Sequence, residues 1–260
     1  QLRQGFLNLL FNGTTAICDG VCATTPHNSV HSTFYALYAG MADGNASLTA
    51  ALASYVRARA VEDQVKGVPC GSYPVQFLII ALYRDDTDHG NAAHQVLTAT
   101  TEHSWLNMIR TFNATATLEC WLPTELPNLS FSHVWSSSPA IIIPQFLFGL
   151  LPTSPGYATV DIKPQPGAVQ TGQATFPTVR GPISITFEQT QPGQPGGCTE
   201  VKVRLPGAVD ARVFLPLWGN QSAVVIDEHT AKPVPTTIIS DYAVVSGVNT
   251  VGEHGFRICS

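Results

Sequence analysis

Charged side chains are scarce in this sequence, at 12% of 260 residues, about half the ~25% usual for soluble domains. The 13 Lys and Arg residues form no cluster, so the basic footprint of a nucleic-acid-binding protein is missing. Long apolar runs are also lacking. The longest, from Ala140 to Leu151, is broken by Pro144 and Gly149, short of the ~18 residues that a membrane-spanning helix needs. No G-x-S-x-G nucleophile elbow occurs, and the serines 136–138 that follow His133 do not supply one. Phosphate-binding and dinucleotide-binding glycine patterns are missing too, because the glycines around Gly193 lack a strand-turn-helix setting. Cys18 and Cys22 have no second Cys/His pair at finger distance, although His27 and His31 lie nearby. Neither a metal nor a cofactor is expected.

The chain is 44% hydrophobic and carries a net charge of −5, so its surface needs other solubilising groups. Asn-x-Ser/Thr triplets at Asn12, Asn45, Asn113, Asn128 and Asn220 make attached sugars the natural source. Together with six cysteines they point to the secretory route and an extracellular location. A secreted chain that begins at Gln1 implies a processed N-terminus.

Two textures divide the chain. Residues 1–152 carry helical apolar periodicity. Val30 to Met41 sets Phe34, Leu37, Tyr38 and Met41 on one face, and Ala46 to Arg59 is a second amphipathic run with arginines in its last turn. Ser72 to Arg84 is strongly apolar, with Ser72 placed to cap it and Pro74 in its first turn. His89 to Ile109 reads as another helix, and Ser136 to Leu151 as a last one kinked at Pro144. Residues 153–260 instead show short β-branched runs punctuated by Pro and Gly, at 158–162, 183–187, 199–204, 211–215, 223–226, 236–239 and 242–245. That spacing predicts an antiparallel β-sandwich or barrel. The division places Cys198 and Cys259 in the β part, where they most simply pair. Cys18–Cys22 and Cys70–Cys120 are the pairs expected in the helical part.

Most acidic residues sit in polar loops, and Asp85, Asp86 and Asp88 read as a solvated turn. Glu119 is different, lying between Leu118 and Cys120 with Trp121 next. A carboxylate in such company has a raised pKa or a partner that justifies its burial. Trp105, Trp121, Phe131 and Trp135, with His103 and His133, gather around this stretch. Aromatic platforms beside hydrogen-bonding groups suit sugar rings; an aromatic core between helices has the same composition.

The segment HVWSSSPAIIIPQFLFGLLPTSPGY, residues 133–157, resembles the end of the catalytic domain in glycoside hydrolase family 78, the α-L-rhamnosidases. VDIKPQPGAVQTGQATFPTVRGPISITFE, GVPCGSYPVQFLIIALY and HSWLNMI resemble the same family in the same order, so the likeness runs from about Ser29 to Phe187. It implies part of an (α/α)6 six-hairpin toroid over 1–152, followed by a β-sandwich over 153–260. It also implies inverting hydrolysis of terminal α-L-rhamnosides by two glutamates. The family's general base sits in a Trp-Glu-x-Trp motif that maps onto Leu118-Glu119-Cys120-Trp121, where Leu118 and Cys120 depart from the pattern. On this reading Trp105, Trp121, His133 and Trp135 line the sugar subsite, and Glu119 is only moderately raised so that it can act as a base.

About five helices are visible where the toroid needs twelve, and the general acid of the family lies upstream of Gln1. The expected partner is therefore the N-terminal portion of the same precursor, and the expected substrate a rhamnose-containing glycoside. A glycan on Asn128, close after Glu119, would obstruct the pocket. The same fold also admits a non-catalytic carbohydrate-binding remnant, or a toroid enzyme that cleaves a different sugar or a rhamnose–uronide bond.

Overall fold

The computed structural model describes residues 1–24, 26–62 and 67–259. These form two compact units, one of Gln1–Asp85 and Ala92–Ile142, the other of Asp86–Asn91 and Ile143–Ser260. The division thus falls ahead of the composition break at 152/153, and a short piece of the helical region belongs to the second unit.

The first unit contains α1 (Leu2–Leu10), the short pair β1 (Ile17–Cys18) and β2 (Asn28–Ser29), α2 (Val30–Tyr38) and α3 (Ala46–Arg57). After these come α4 (Val75–Leu82), α5 (Asn91–Leu97), α6 (Trp105–Phe112) and α7 (Pro139–Ile142). Polar caps start three of the helices. The Ser29 hydroxyl accepts from Ser32 N–H at 3.1 Å, the Asn45 side chain from Leu48 N–H at 3.0 Å, and the Ser104 hydroxyl from Asn107 N–H at 3.1 Å. Helices α2, α3 and α4 pack on one another through Phe34, Leu37, Leu52, Val56, Leu78 and Ile79, all buried. Tyr38, expected on the same face, is instead 42% exposed with its edge against Phe77.

The stretch 89–109 is two helices rather than one. Between α5 and α6 lie Thr98, Thr100 and Thr101, whose β-branched side chains disfavour helix. Ser104 then caps a fresh start. The first turn of α4 has no side-chain cap, because Ser72 spends its hydroxyl elsewhere, as described below.

The second unit holds two sheets. Strands β3 (Leu150–Pro152), β4 (Thr159–Ile162), β8 (Asp210–Pro216), β12 (Tyr242–Val248) and β11 (Thr237–Ile239) form one, in the order β11-β12-β8-β4-β3. The other runs β10-β9-β13-β7-β6-β5, from β5 (Thr171–Phe176), β6 (Ile183–Thr190), β7 (Cys198–Leu205), β9 (Val225–Asp227), β10 (Lys232–Pro233) and β13 (Gly252–Cys259). Every pairing is antiparallel except β4 with β8. Ile183, Ile185, Phe187, Val201 and Val203 of one sheet share a buried cluster with Val160, Ile162, Val213 and Leu215 of the other. Alternation of inward apolar and outward polar residues along β6 and β7 produces this face. Cys198 and Cys259 stand opposite each other at the ends of β7 and β13 and are joined by a disulfide.

Asp86–Asn91 is not a solvated turn. Asp86 pairs with Lys163, and Gly167 N–H donates to the His89 carbonyl at 2.8 Å. The His89 ring is fully buried, 2.8 Å from the Asp241 carboxylate through Nε2 and 3.0 Å from the Tyr242 hydroxyl through Nδ1. A carboxylate can only accept, so Nε2 carries the proton and Nδ1 accepts from Tyr242. Burial holds the His89 pKa below its ordinary value, against the pull of Asp241 in the opposite direction.

Candidate active site

Glu119 sits on an irregular segment that pairs with the returning chain at 130–133. Glu119 N–H donates to the Ser130 carbonyl at 3.0 Å, and Ser130 N–H donates to Glu119 Oε2 at 2.8 Å. Two residues earlier, Thr117 and His133 are joined in both directions, through His133 N–H to the Thr117 carbonyl and the Thr117 hydroxyl to the His133 carbonyl, each at 2.8 Å. This double pairing places the His133 ring beside the carboxylate.

A relay of small polar groups supports it from behind. The Trp105 indole N–H donates to the Ser136 carbonyl at 2.8 Å, the Ser136 hydroxyl to the Ser72 hydroxyl at 2.9 Å, and the Ser72 hydroxyl to the Glu119 carbonyl at 2.7 Å. The start of α6, the turn at 134–136 and the leader of α4 thereby converge on one residue. Ser72 and Ser136 are buried, and the bond between their hydroxyls is made away from water.

Tyr73 completes the arrangement. Its ring stacks on His133 at 4.8 Å between centroids and meets Trp135 edge-on at 5.5 Å, while His133 and Trp135 are themselves edge to face at 5.8 Å. Its hydroxyl favours the charged form of the Glu119 carboxylate. Trp135 is 66% exposed and Phe131 61%, so aromatic surface stands open to solvent beside the carboxylate.

Electrostatics here oppose the expected upward shift. The Ser130 N–H, then the Tyr73 hydroxyl, hold the Glu119 pKa below the usual carboxylate range, and His133 adds to the effect. Desolvation acts in the other direction but loses, since the side chain is only half-buried. The Tyr73 phenol is pushed up to about 12 by desolvation and by the neighbouring Glu119 carboxylate.

The other expected site residues divide. Trp105 is half-buried and holds the Ser136 backbone. Trp121, expected at the sugar subsite, is 1% exposed. Its N–H donates to the Cys70 carbonyl at 2.7 Å, and its ring stands edge-on to Trp105 at 5.2 Å. It anchors the loop and takes part in lining a cleft of about 560 Å³ with His103, Glu125 and the residues from Gly67 to Gly71.

Cys18–Cys22 forms as expected, like Cys198–Cys259. The expected Cys70–Cys120 bridge does not: both cysteines are free thiols. Their two segments are already fastened by the Trp121 and Ser72 hydrogen bonds, and burial pushes the Cys70 thiol up to about 12. Among the sequons, the Asn12 side-chain oxygen accepts from the N–H groups of Thr14, Thr15 and Ala16, Asn45 caps α3, and the Asn220 oxygen accepts from Ser222 N–H. Asn113, in a left-handed conformation at the end of α6, and Asn128 are exposed.

Sequence reasoning missed Tyr73, Ser72 and Ser136. Their signals were the Gly-Ser-Tyr-Pro before α4 and the serine run after Trp135, neither of which has a periodicity to reveal it.

Residues 1–147 match the family model described as the bacterial alpha-L-rhamnosidase 6 hairpin glycosidase domain, and residues 149–230 match the bacterial alpha-L-rhamnosidase C-terminal domain. Similar solved structures include the alpha-L-rhamnosidase from Dictyoglumus thermophilum, with a TM-score of 0.77 at 15% identity over 100% of this chain and 28% of that one. The Streptomyces avermitilis alpha-L-rhamnosidase complexed with L-rhamnose gives 0.69 at 20% over 98% of this chain and 23% of that one. The native enzyme from Aspergillus terreus gives 0.66 at 20% over 99% and 26%. At such identities the likeness is one of fold, and the chain spans only those smaller shares of the structures it matches. No curated protein matches the sequence. With more than half of its length covered by the six-hairpin domain model, the chain belongs to the bacterial α-L-rhamnosidase family.

Proposed function

We propose that this chain supplies the general-base side of an inverting α-L-rhamnosidase site, with Glu119 as the base. The substrates are terminal α-L-rhamnosides of plant glycosides or polysaccharides. The general acid belongs to upstream polypeptide of the same precursor, which has to be associated for turnover. The observation that carries the reading is the setting of Glu119: a carboxylate held by Ser130 N–H at 2.8 Å, its pKa below the usual carboxylate range, beside exposed aromatic surface.

An inverting hydrolase needs a carboxylate that takes a proton from water on the face opposite the leaving group, with the acid ~6.5–9.5 Å away. The lowered pKa keeps Glu119 ionised well into the acid range, in exchange for a weaker drive for proton transfer. Trp135 and His133, with Trp105 behind them, offer ring faces and edges to the C–H surfaces of a deoxy sugar. Two disulfides and the exposed sequons at Asn113 and Asn128 support passage through an oxidising secretory compartment.

The test is a panel of aryl glycosides offered to the chain together with its upstream polypeptide, with the first-formed anomer read by proton NMR. The proposal expects selective release from aryl α-L-rhamnoside and β-L-rhamnose as the first product. Selective cleavage of another glycoside overturns the substrate, and first-formed α-rhamnose overturns the inverting mechanism. Sugar binding with no turnover at all favours the carbohydrate-binding remnant.

A further inference from the structure

We propose that the second unit carries a binding site for a neutral pyranose sugar, in a cleft of about 550 Å³ lined by Thr87, Trp218, Gln221, Ser240 and Asp241. The cleft shares no residue with the Glu119 site and does not depend on the reading of Glu119 as a general base.

Four segments build it. Asp86–Asn91 brings Thr87, the loop after β6 brings Gly193, the loop after β8 brings Trp218 and Gln221, and the turn between β11 and β12 brings Ser240 and Asp241. The Asp241 carboxylate ties three of these together, accepting from His89 Nε2 at 2.8 Å, Gly219 N–H at 3.0 Å and Gln221 Nε2 at 3.1 Å. The Trp218 ring lies against the buried His89 ring, 4.1 Å between centroids. Gly193 lets the β6–β7 loop close on the same indole, since an added Cβ there would stand 3.2 Å from it. The indole N–H is enclosed with no hydrogen-bond partner among the described residues, so packing sets the tilt of the ring. Backbone strain concentrates at the same place. His89, Trp218 and Ser240 hold left-handed backbone at φ 48°, 50° and 54°, a conformation that is costly for residues with side chains and that gathers at ligand sites.

The lining matches the two kinds of surface on a sugar ring. Half-buried Trp218 offers apolar aromatic surface to its C–H groups. A carboxylate has about four lone-pair positions, and three donors occupy Asp241, whose side chain is 10% exposed, so one position remains for a ligand hydroxyl. The exposed Thr87, Gln221 and Ser240 add hydroxyl and amide groups around it. The volume falls within the ~300–1,000 Å³ of small-molecule sites. No lining residue is cationic, and the Asp241 carboxylate repels a uronate or phosphate, so the ligand is neutral. Such a ring can come from two sources. One is a soluble glycoside; the other is the first sugar of a glycan on Asn220, whose sequon lies in the β8–β9 loop between the lining residues Gly219 and Gln221.

The test uses the full chain with its upstream polypeptide, labelled with 5-fluorotryptophan, and fluorine-19 NMR. The Trp218 resonance is identified by its loss in Trp218→Phe. The probes are the methyl glycosides of glucose, galactose, mannose and L-rhamnose, titrated through the millimolar range into the glycosylated chain and into Asn220→Gln. A saturable shift of the Trp218 resonance in Asn220→Gln supports the site and assigns it to a soluble sugar. Removing one hydrogen-bonding side chain by Gln221→Ala or Ser240→Ala should then weaken the titration about tenfold. A Trp218 resonance displaced in the glycosylated chain relative to Asn220→Gln, with no response to any probe, supports the site and assigns it to the chain's own glycan. A resonance that neither the probes nor the glycan moves overturns the proposal, and so does a titration that both side-chain substitutions leave unchanged. Glu119→Gln alters none of these outcomes, so failure here and failure of the catalytic reading are distinguishable.

Discussion

Replacing Cys198 and Cys259 together by Ser should cost the second unit about 4 kcal/mol. The bridge spans a sequence separation of 61. In the chain-entropy model a loop of that length removes roughly 14 cal/mol/K from the unfolded ensemble, or about 4 kcal/mol at 25 °C. Few native contacts confuse the measurement. The partners end strands β7 and β13, which stay paired from Gly252 with Leu205 to Cys259 with Cys198, and Cys259 is exposed. Serine at both ends should therefore add under ~1 kcal/mol of packing loss. For a domain of this size a loss of 4 kcal/mol lowers Tm by roughly 10–20 °C. Urea unfolding read by amide exchange in peptides covering 198–205 and 252–259 isolates this unit from the helical one. A loss below ~1 kcal/mol would refute the reasoning, because it would mean that the unfolded chain already keeps these ends together.

Two further perturbations address buried ionisable groups. His89 is neutral in the fold and its pKa is depressed, so the unfolded chain takes up its proton more readily. Stability of the second unit is then fully present above the unfolded value of ~6.5 and falls as pH drops below it. A urea midpoint that is flat from pH 7.5 to 5, or a slope that persists in His89→Gln, would contradict this. For the cysteines, half-buried Cys120 should react with a thiol reagent in the native protein, whereas Cys70, pushed up to about 12, should react only after unfolding. Finding no free thiol in the unfolded, unreduced protein would restore the Cys70–Cys120 bridge.

Where the fold follows from local pattern, the sequence is readable. Strands β6 and β7 alternate cleanly, and Ala46–Arg57 shows its amphipathic stripe and its Asn cap without help from the rest of the chain. Strand β13 does not show itself, because Gly-Glu-His-Gly-Phe-Arg has two glycines and little apolar content. Pairing with β7 on one side and β9 on the other makes it a strand. Helix α1 has no buried residue and so no core-facing stripe to betray it.

At the site, Glu119 stands out as a carboxylate in apolar company, yet the sign of its pKa shift was not readable. The donors that decide it come from Ser130, eleven residues on, and from Tyr73 far upstream. Trp121 and Trp135 look alike in the sequence, but tertiary packing buries one and exposes the other. The expected Cys70–Cys120 pair shows the same limit, since two hydrogen bonds can fasten neighbouring segments without a covalent link.

The central claim is that Glu119 activates the attacking water. Its most direct test is kcat for hydrolysis of an aryl α-L-rhamnoside by Glu119→Gln, compared with wild type in the same assembly and with rhamnose affinity measured alongside. General-base catalysis is worth ~10²–10⁴-fold, so the variant should lose at least about a hundredfold in kcat while binding rhamnose within about threefold of wild type. A Glu119→Gln protein that turns over within about tenfold of wild type would contradict the account.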